Sequence, residues 1–454
     1  MKRGEVSRLD PQYEQLNLRK LAYYKNPRYP LVPLGTLATF IQYGISERAN
    51  TSELGVPMIR MSNLQAKGWD LNNLKHIELD QSDLKRYRLH EGELLFNRTN
   101  SKELVGKCEP FAEAGDWVFA SYLIRVRLDP QRAIPGFISA FLNSPAGRIQ
   151  IDQVSRQVAG MSNVNAEELR KLLIPLPELV EQRQFLDELD IARKKRDQAL
   201  AAGTELETSL DSFLMQRLGL EMPSEQSRRA FAISLGNLRK SRIDPPAYQP
   251  LLSRSTTPTV AIKQLSDCVV INGNVVPKPA YNDTLVPYIG LPECSQTSIR
   301  KVVMRPYSEV KGRAIVKPGD VLFARIEPSI FNKKYVLAED LLGYEYAYTS
   351  TEFYVVTAIP GISVSEYVHA MFFSSFVFVQ SRGMTAGSSG RRRLDPSQFK
   401  AIKFPLPTIA LQREIADEAL RRRNKAKVLR AHAESLWLEA RDRFEQRLLQ
   451  GDSK

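Results

Sequence analysis

Six consecutive residues, Asn97-Arg98-Thr99-Asn100-Ser101-Lys102, follow a β-type run directly. Arginine and asparagine side chains can make paired hydrogen bonds to guanine and adenine edges, while Thr, Ser and Lys suit phosphate oxygens. The same residues would also satisfy a turn through their own Asn and Ser side chains, so both readings stay open. A related stretch, Arg325-Ile-Glu-Pro-Ser329, is followed by Asn332-Lys333-Lys334. Two further polar loops lie later: Arg156-Gln-Val-Ala-Gly-Met-Ser162-Asn163, and Thr385-Ala-Gly-Ser388-Ser389-Gly-Arg391-Arg392-Arg393. Small residues joined to three arginines cannot pack in a core; their N–H and guanidinium groups suit phosphates. An exposed charged loop without a partner is the alternative.

Enzymatic chemistry is hard to place. The sequence contains no Walker A motif and no Gly-x-Gly-x-x-Gly after a strand. Asp244-Pro-Pro-Ala247 has alanine where a base-stacking aromatic would follow the second proline, so it reads as a turn. Glu309-Val-Lys311 lacks an acidic partner at a useful distance and reads as a solvated pair. The 3 cysteines and 4 histidines show no zinc or disulfide spacing. Among 454 residues the net charge is +13, which favours a polyanionic partner, nucleic acid first. No apolar signal core follows Met1, and the run Tyr367 to Val379 is too short to span a bilayer. The expected location is cytoplasmic.

The elements that position these loops are repeated. Ile174-Pro-Leu-Pro177 and Phe404-Pro-Leu-Pro407 each open a long amphipathic run, and Gln182-Arg183 recurs 230 positions later as Gln412-Arg413. Phe185, Leu189, Ala192, Arg196, Ala199, Gly203, Leu206 and Leu210 step by four and three, as do Ile415, Ala419, Arg422, Ala426, Leu429, Ala433, Leu436 and Ala440. This is a coiled-coil seam, and small residues let two backbones approach. About 40 residues of helix span roughly 60 Å. The two runs are expected to pack on each other. Arg196 and Arg422, the polar seam positions, are expected to meet acidic residues across the coil or to mark an approach of partners or DNA.

The regions before the helices repeat too. Gly92-Glu-Leu-Leu-Phe-Asn-Arg98 returns as Gly319-Asp-Val-Leu-Phe-Ala-Arg325, and Arg8-Leu-Asp-Pro11 as Arg242-Ile-Asp-Pro245. Alternation within Trp117 to Leu128 predicts one strand buried on one face, matched by Glu352 to Ile359. Helices are expected over Phe137 to Leu142 and Tyr367 to Phe373. The fold class is therefore α+β: two tandem α/β domains joined by two long antiparallel coiled-coil helices, with a pseudo-twofold repeat. The segments are a domain over 1–173, a helix over 174–219, a linker over 220–236, a domain over 237–403 and a helix over 404–454.

This constellation resembles the specificity subunits of type I restriction-modification systems. The matching residues are Gly92 to Ser101 running into Glu103-Leu-Val-Gly-Lys107, Gly160-Met-Ser162, and the Pro-Leu-Pro openings followed by Gln-Arg in both halves. The resemblance implies two target-recognition domains, each reading one part of a split site in double-stranded DNA. The paired helices would act as a ruler. Two modification (methyltransferase) subunits would methylate adenine, and restriction/translocase subunits would join them. S-adenosylmethionine, ATP and Mg would sit on those partners, with no cofactor, metal or catalytic residue in this chain. The second half departs from the pattern, with Ala324-Arg325-Ile326-Glu327 in place of Asn-Arg-Thr-Asn. Two other readings remain: a specificity protein for a fused nuclease-methyltransferase or another methylation-linked defence system, and a coiled-coil scaffold whose basic surface is incidental.

Overall fold

A computed structural model describes residues 24–25, 27–46, 54–65, 68–158, 161–220, 260–386 and 392–450. The expected linker beyond Leu220 and the paired segments around Asp10 and Asp244 lie outside the described residues. The chain divides into two compact units, 1–198 with 432–454, and 199–431. The division passes through both long helices, Leu179–Arg217 and Ile409–Leu449.

In the first unit, β1 (Ala38–Tyr43), β2 (Leu94–Asn97), β3 (Cys108–Pro110) and β4 (Leu123–Leu128) form an antiparallel sheet in the order β1-β4-β2-β3. In the second, β5 (Val269–Ile271), β6 (Val321–Ala324), β7 (Tyr335–Leu337) and β8 (Phe353–Ala358) take the same arrangement, β5-β8-β6-β7. The turn before β2 and the turn before β6 each need a glycine: Gly92 has φ +82° and Gly319 has φ +89°. The acid that follows each glycine closes its turn. Glu93 accepts from the His90 N–H at 2.9 Å, and Asp320 from the Lys317 N–H at 2.7 Å.

The strand expected over Trp117 to Leu128 is two strands in different sheets. Val118–Phe119 runs parallel to Met58–Ile59, and β4 begins only after a turn closed by the Leu123 N–H on the Ala120 carbonyl at 2.9 Å. Nor is β4 exposed on one face. Ile124 and Val126 pack with Leu94, Phe96 and Phe137, while Leu123 packs on the other side with Leu95, Phe111 and Phe119. A helix layer covers one face and a second small sheet the other, so alternation in sequence does not mean alternation in exposure. The second unit repeats this with Val321, Phe323, Tyr354 and Val356 on one face and Leu322, Ala324, Phe353 and Val355 on the other. The short helices are Pro135–Leu142 and Ser365–Phe372.

Each unit's main core absorbs parts of both long helices. Phe185, Leu189, Phe444 and Leu448 join the first, and Leu210, Leu214, Ile415 and Ala419 the second. Within each unit the helices run antiparallel: Arg447 grips Glu188 with both oxygens at 2.6 Å, and Arg430 grips Glu207 likewise. At Gly203 an added Cβ would lie 3.4 Å from the Ala426 carbonyl oxygen, which is the close approach that small seam residues permit. Arg196 and Arg422 do not meet acids across the coil. Arg196 bonds Asp197 of its own helix and stacks on Trp437 at 4.8 Å; Arg422 bonds Glu418 of its own helix and stacks on Phe213 at 4.8 Å. An aromatic face across the seam shelters each guanidinium with less desolvation than a buried ion pair requires.

The repeated glutamine is the joint between domain and helix. Gln182 is fully buried. Its Oε1 accepts from the Ile134 N–H at 2.9 Å, and its Nε2 donates to the Arg132 and Pro177 carbonyls at 3.0 and 2.9 Å. Gln412 makes the same three bonds to Val364, Ile362 and Pro407, each at 2.9 Å. Thr408 caps the second helix through the Leu411 N–H, and Gly219, at φ 62°, ends the first.

Candidate nucleic-acid interface

Two of the polar stretches come together at one edge of the first unit. Thr99–Asn100 pairs with Met161–Asn163, which pairs in turn with Arg156–Val158. The Arg98 carbonyl accepts from the Val164 N–H at 2.9 Å, and the Arg98 N–H donates to the Tyr122 carbonyl at 3.0 Å. Strand end, hairpin and turn are thereby one stitched surface. The Arg98 guanidinium lies over the Tyr43 ring at 4.7 Å and donates to the Ser121 carbonyl at 3.4 Å and Asn163 Oδ1 at 3.3 Å. Asn163 also donates to the Thr99 hydroxyl at 2.7 Å. Thr99 and Ser162 are buried, so they hold the hairpin rather than face solvent. Asn100 accepts from the Ser101 N–H, and Lys102 is exposed with its carbonyl accepting from Arg148. Glu103's own backbone N–H, and then the Ser101 hydroxyl, hold the Glu103 carboxyl below its ordinary range. Arg156 is placed in its strand by backbone alone; its side chain lies outside the described residues.

The second unit builds the same edge with other side chains. The Arg325 N–H donates to the Glu352 carbonyl at 2.9 Å, and its carbonyl accepts from the Leu394 N–H at 2.8 Å. Its guanidinium lies over Tyr354 at 4.9 Å. Tyr354 is buried, with its hydroxyl on the Leu394 carbonyl at 2.6 Å, and burial pushes the phenol up to about 12. Where Asn163 stands in the first unit, Arg393 stands here, bound by Glu352 through Nε at 3.0 Å and Nη2 at 2.7 Å. Arg392 donates to the Thr385 carbonyl at 2.9 Å and approaches Glu327 at 3.8 Å. Ser388, Ser389 and Arg391 lie outside the described residues.

Lys333 and Lys334 differ from expectation. The Lys333 ammonium donates to the Phe373 carbonyl at 2.9 Å and lies over the Phe378 ring. Lys334 donates to the Leu291 and Cys294 carbonyls at 2.8 and 3.0 Å. Burial lowers the Lys333 pKa. Both amines pin loops internally, because unpaired backbone carbonyls in a partly buried turn are satisfied more cheaply by a nearby ammonium than left bare. Among the described residues no cluster of His, Cys, Asp or Glu could hold a metal ion, and no helix is long and apolar enough to cross a membrane.

No known family profile matches the chain. It is 28% identical over 185 residues to the EcoKI specificity subunit of a type I restriction enzyme from Escherichia coli strain K12, a match covering 38% of this chain and 40% of that protein. It is 25% identical over 176 residues to the putative MjaX specificity subunit of Methanocaldococcus jannaschii, covering 38% of this chain and 41% of that protein. Over these stretches the chain is similar to type I specificity subunits. It matches about two fifths of the length of those curated relatives. A solved chain from a study of complex assembly and conformational transition of the type I R-M system is similar in fold, with a TM-score of 0.54 and 14% identity over 94% of this chain and 98% of that one.

Several residues of the edge carry no motif in sequence. Tyr43 and Tyr354 are ordinary strand aromatics until the fold slides an arginine over each. Glu352 lies 41 positions before the arginine it binds. The one available signal is the offset of the repeat: Tyr122 and Glu352, like Asn163 and Arg393, lie 230 positions apart, and unlike residues at such matched places mark where two similar domains diverge.

Proposed function

We propose that this chain is the sequence-reading, non-catalytic subunit of a type I system, binding a bipartite, asymmetric site in double-stranded DNA. It directs adenine-methylating subunits, two of them, and restriction subunits to that site. The observation that carries this reading is the edge built twice on one backbone plan with different chemistry: Arg98 with Asn163 in one unit, Arg325 with Glu352 and Arg393 in the other. Two scaffolds of one design with unlike polar edges suit two unlike half-sites. A net charge of +13 supplies the phosphate attraction. S-adenosylmethionine, ATP and Mg2+ belong on the partner subunits, and the cytoplasm is where such an assembly meets DNA. The long helices set the number of unread base pairs between half-sites.

The test is methylome sequencing of a host with and without this gene. A two-part adenine-methylated motif that disappears with the gene is expected. Methylation that persists unchanged, or a motif without an internal gap, would overturn the proposal.

A further inference from the structure

The turn between the two sheets of each unit, Ala120–Tyr122 in the first and Ser350–Glu352 in the second, belongs to neither polar loop that the sequence singles out. It nevertheless lies in the middle of the edge. Its last carbonyl accepts from Arg98 or Arg325, and the next residue opens β4 or β8. The backbone on both sides is fixed. Ala120 N–H bonds the Ile59 carbonyl at 2.9 Å and Ser121 N–H the Ile45 carbonyl at 2.8 Å; in the second unit Ser350 N–H bonds the Ile289 carbonyl at 3.1 Å. At Gly44 an added Cβ would stand 2.3 Å from the Phe119 carbonyl oxygen, so the chain leaving β1 lies hard against this turn.

A side chain on a rigid, stitched backbone can be held at a surface with little ordering on binding. The two units use that place differently. Tyr122 is 46% exposed, beside Arg98, and its phenol oxygen has no hydrogen-bond partner among the described residues. Glu352 is 19% exposed and spends both carboxylate oxygens on the Nε side of Arg393, fixing the plane of that guanidinium.

We infer that this turn is a third recognition element, with Tyr122 making apolar contact in the groove of the first half-site and Glu352 positioning Arg393 over a base of the second. The inference rests on the proposal that these edges meet DNA. Tyrosine at such a place offers ring surface to a thymine methyl or base edge, whereas a carboxylate there would be repelled by phosphate unless neutralised by a guanidinium, which is what Arg393 does.

The experiment uses the full chain co-expressed with its modification subunits, and reads the methylated motif by sequencing. Tyr122→Ala is expected to relax the first half-site by about tenfold at one base position and to leave the second unchanged. Glu352→Gln is expected to relax the second half-site by a similar factor and leave the first unchanged. Tyr122→Phe keeps the ring and should restore the wild-type first half-site. Wild-type motifs from both Tyr122→Ala and Glu352→Gln overturn the inference while leaving the DNA-reading proposal intact. Relaxation of both half-sites equally by either variant also overturns it, since that is a general loss of stability. A wild-type chain that yields no split motif removes the underlying proposal instead.

Discussion

Replacing Gln182 by leucine keeps its volume and strips three hydrogen bonds from the place where the first domain meets its long helix. The Ile134 N–H loses its acceptor, and the Arg132 and Pro177 carbonyls lose a donor. An orphaned buried N–H costs about 1–3 kcal/mol. The carbonyls add less, because each has a second lone pair and Arg132 is an exposed residue. The expected loss is therefore about 2–4 kcal/mol, which in a unit of this size lowers Tm by roughly 5–15 °C. Thermal melting gives the magnitude, and hydrogen exchange at the Ile134 amide gives the location. A shift below about 2 °C, or unchanged exchange at Ile134, would refute the idea that the buried amide holds this joint. Gln182→Glu adds a sign test. An ionised carboxylate accepts from Ile134 but repels two carbonyls, and burial raises its pKa. A folded pKa raised above the unfolded one contributes stability at low pH that is lost as pH rises. This variant should therefore recover stability on acidification.

Three more expectations follow from named contacts. Burial and the neighbouring Arg423 guanidinium hold His369 down to about 3 from its ordinary 6.5, so the unfolded chain takes up a proton first and stability falls as pH drops below 6.5. Urea midpoints should show a loss of roughly 2 kcal/mol between pH 7 and pH 5 that His369→Gln largely removes. Gly203→Leu forces atoms into the space beside the Ala426 carbonyl and should destabilise the second unit by about 1–3 kcal/mol in urea, with Gly203→Ala far milder. Arg447→Ala breaks an ion pair whose side chains are both about half exposed, so the same measurement should show less than about 1 kcal/mol.

Sequence reveals the parts of this molecule that repeat. The Pro-Leu-Pro openings, the Gln-Arg pairs and the Gly-Glu and Gly-Asp turns mark equivalent positions because the same local constraint recurs: a buried joint, a glycine at positive φ, a carboxylate closing a turn. What sequence hides depends on the second layer over each sheet. Trp117 to Leu128 reads as one half-buried strand because nothing local says that Val118–Phe119 leaves for another sheet or that both faces of β4 are covered. Lys333 and Lys334 look like phosphate ligands because a lysine's sequence neighbours do not reveal a carbonyl 40 or more positions away. Arg196 and Arg422 look as if they need acids across the coil; Trp437, one position past its seam, and Phe213, the next step of its own, supply ring faces instead. Arg98 and Asn100 in one loop and Asn163 in another were legible as polar by type, but that the two loops meet, with Tyr122 or Glu352 beside them, follows only from the way the strand ends are stitched together.

The first unit is completed by the last stretch of the chain. Phe444 and Leu448 fill its core, and Glu445 accepts from the Ser144 hydroxyl at 3.2 Å and from the Ala146 N–H. The second unit, 199–431, is one continuous segment. During synthesis, then, the unit that begins before the other is completed after it. Until residues 432–454 arrive, the Phe137 and Phe185 rings lack the Phe444 ring that closes over them. A nascent chain stalled before that point would hold one finished unit and one with an open apolar face, a ready substrate for chaperones or proteases.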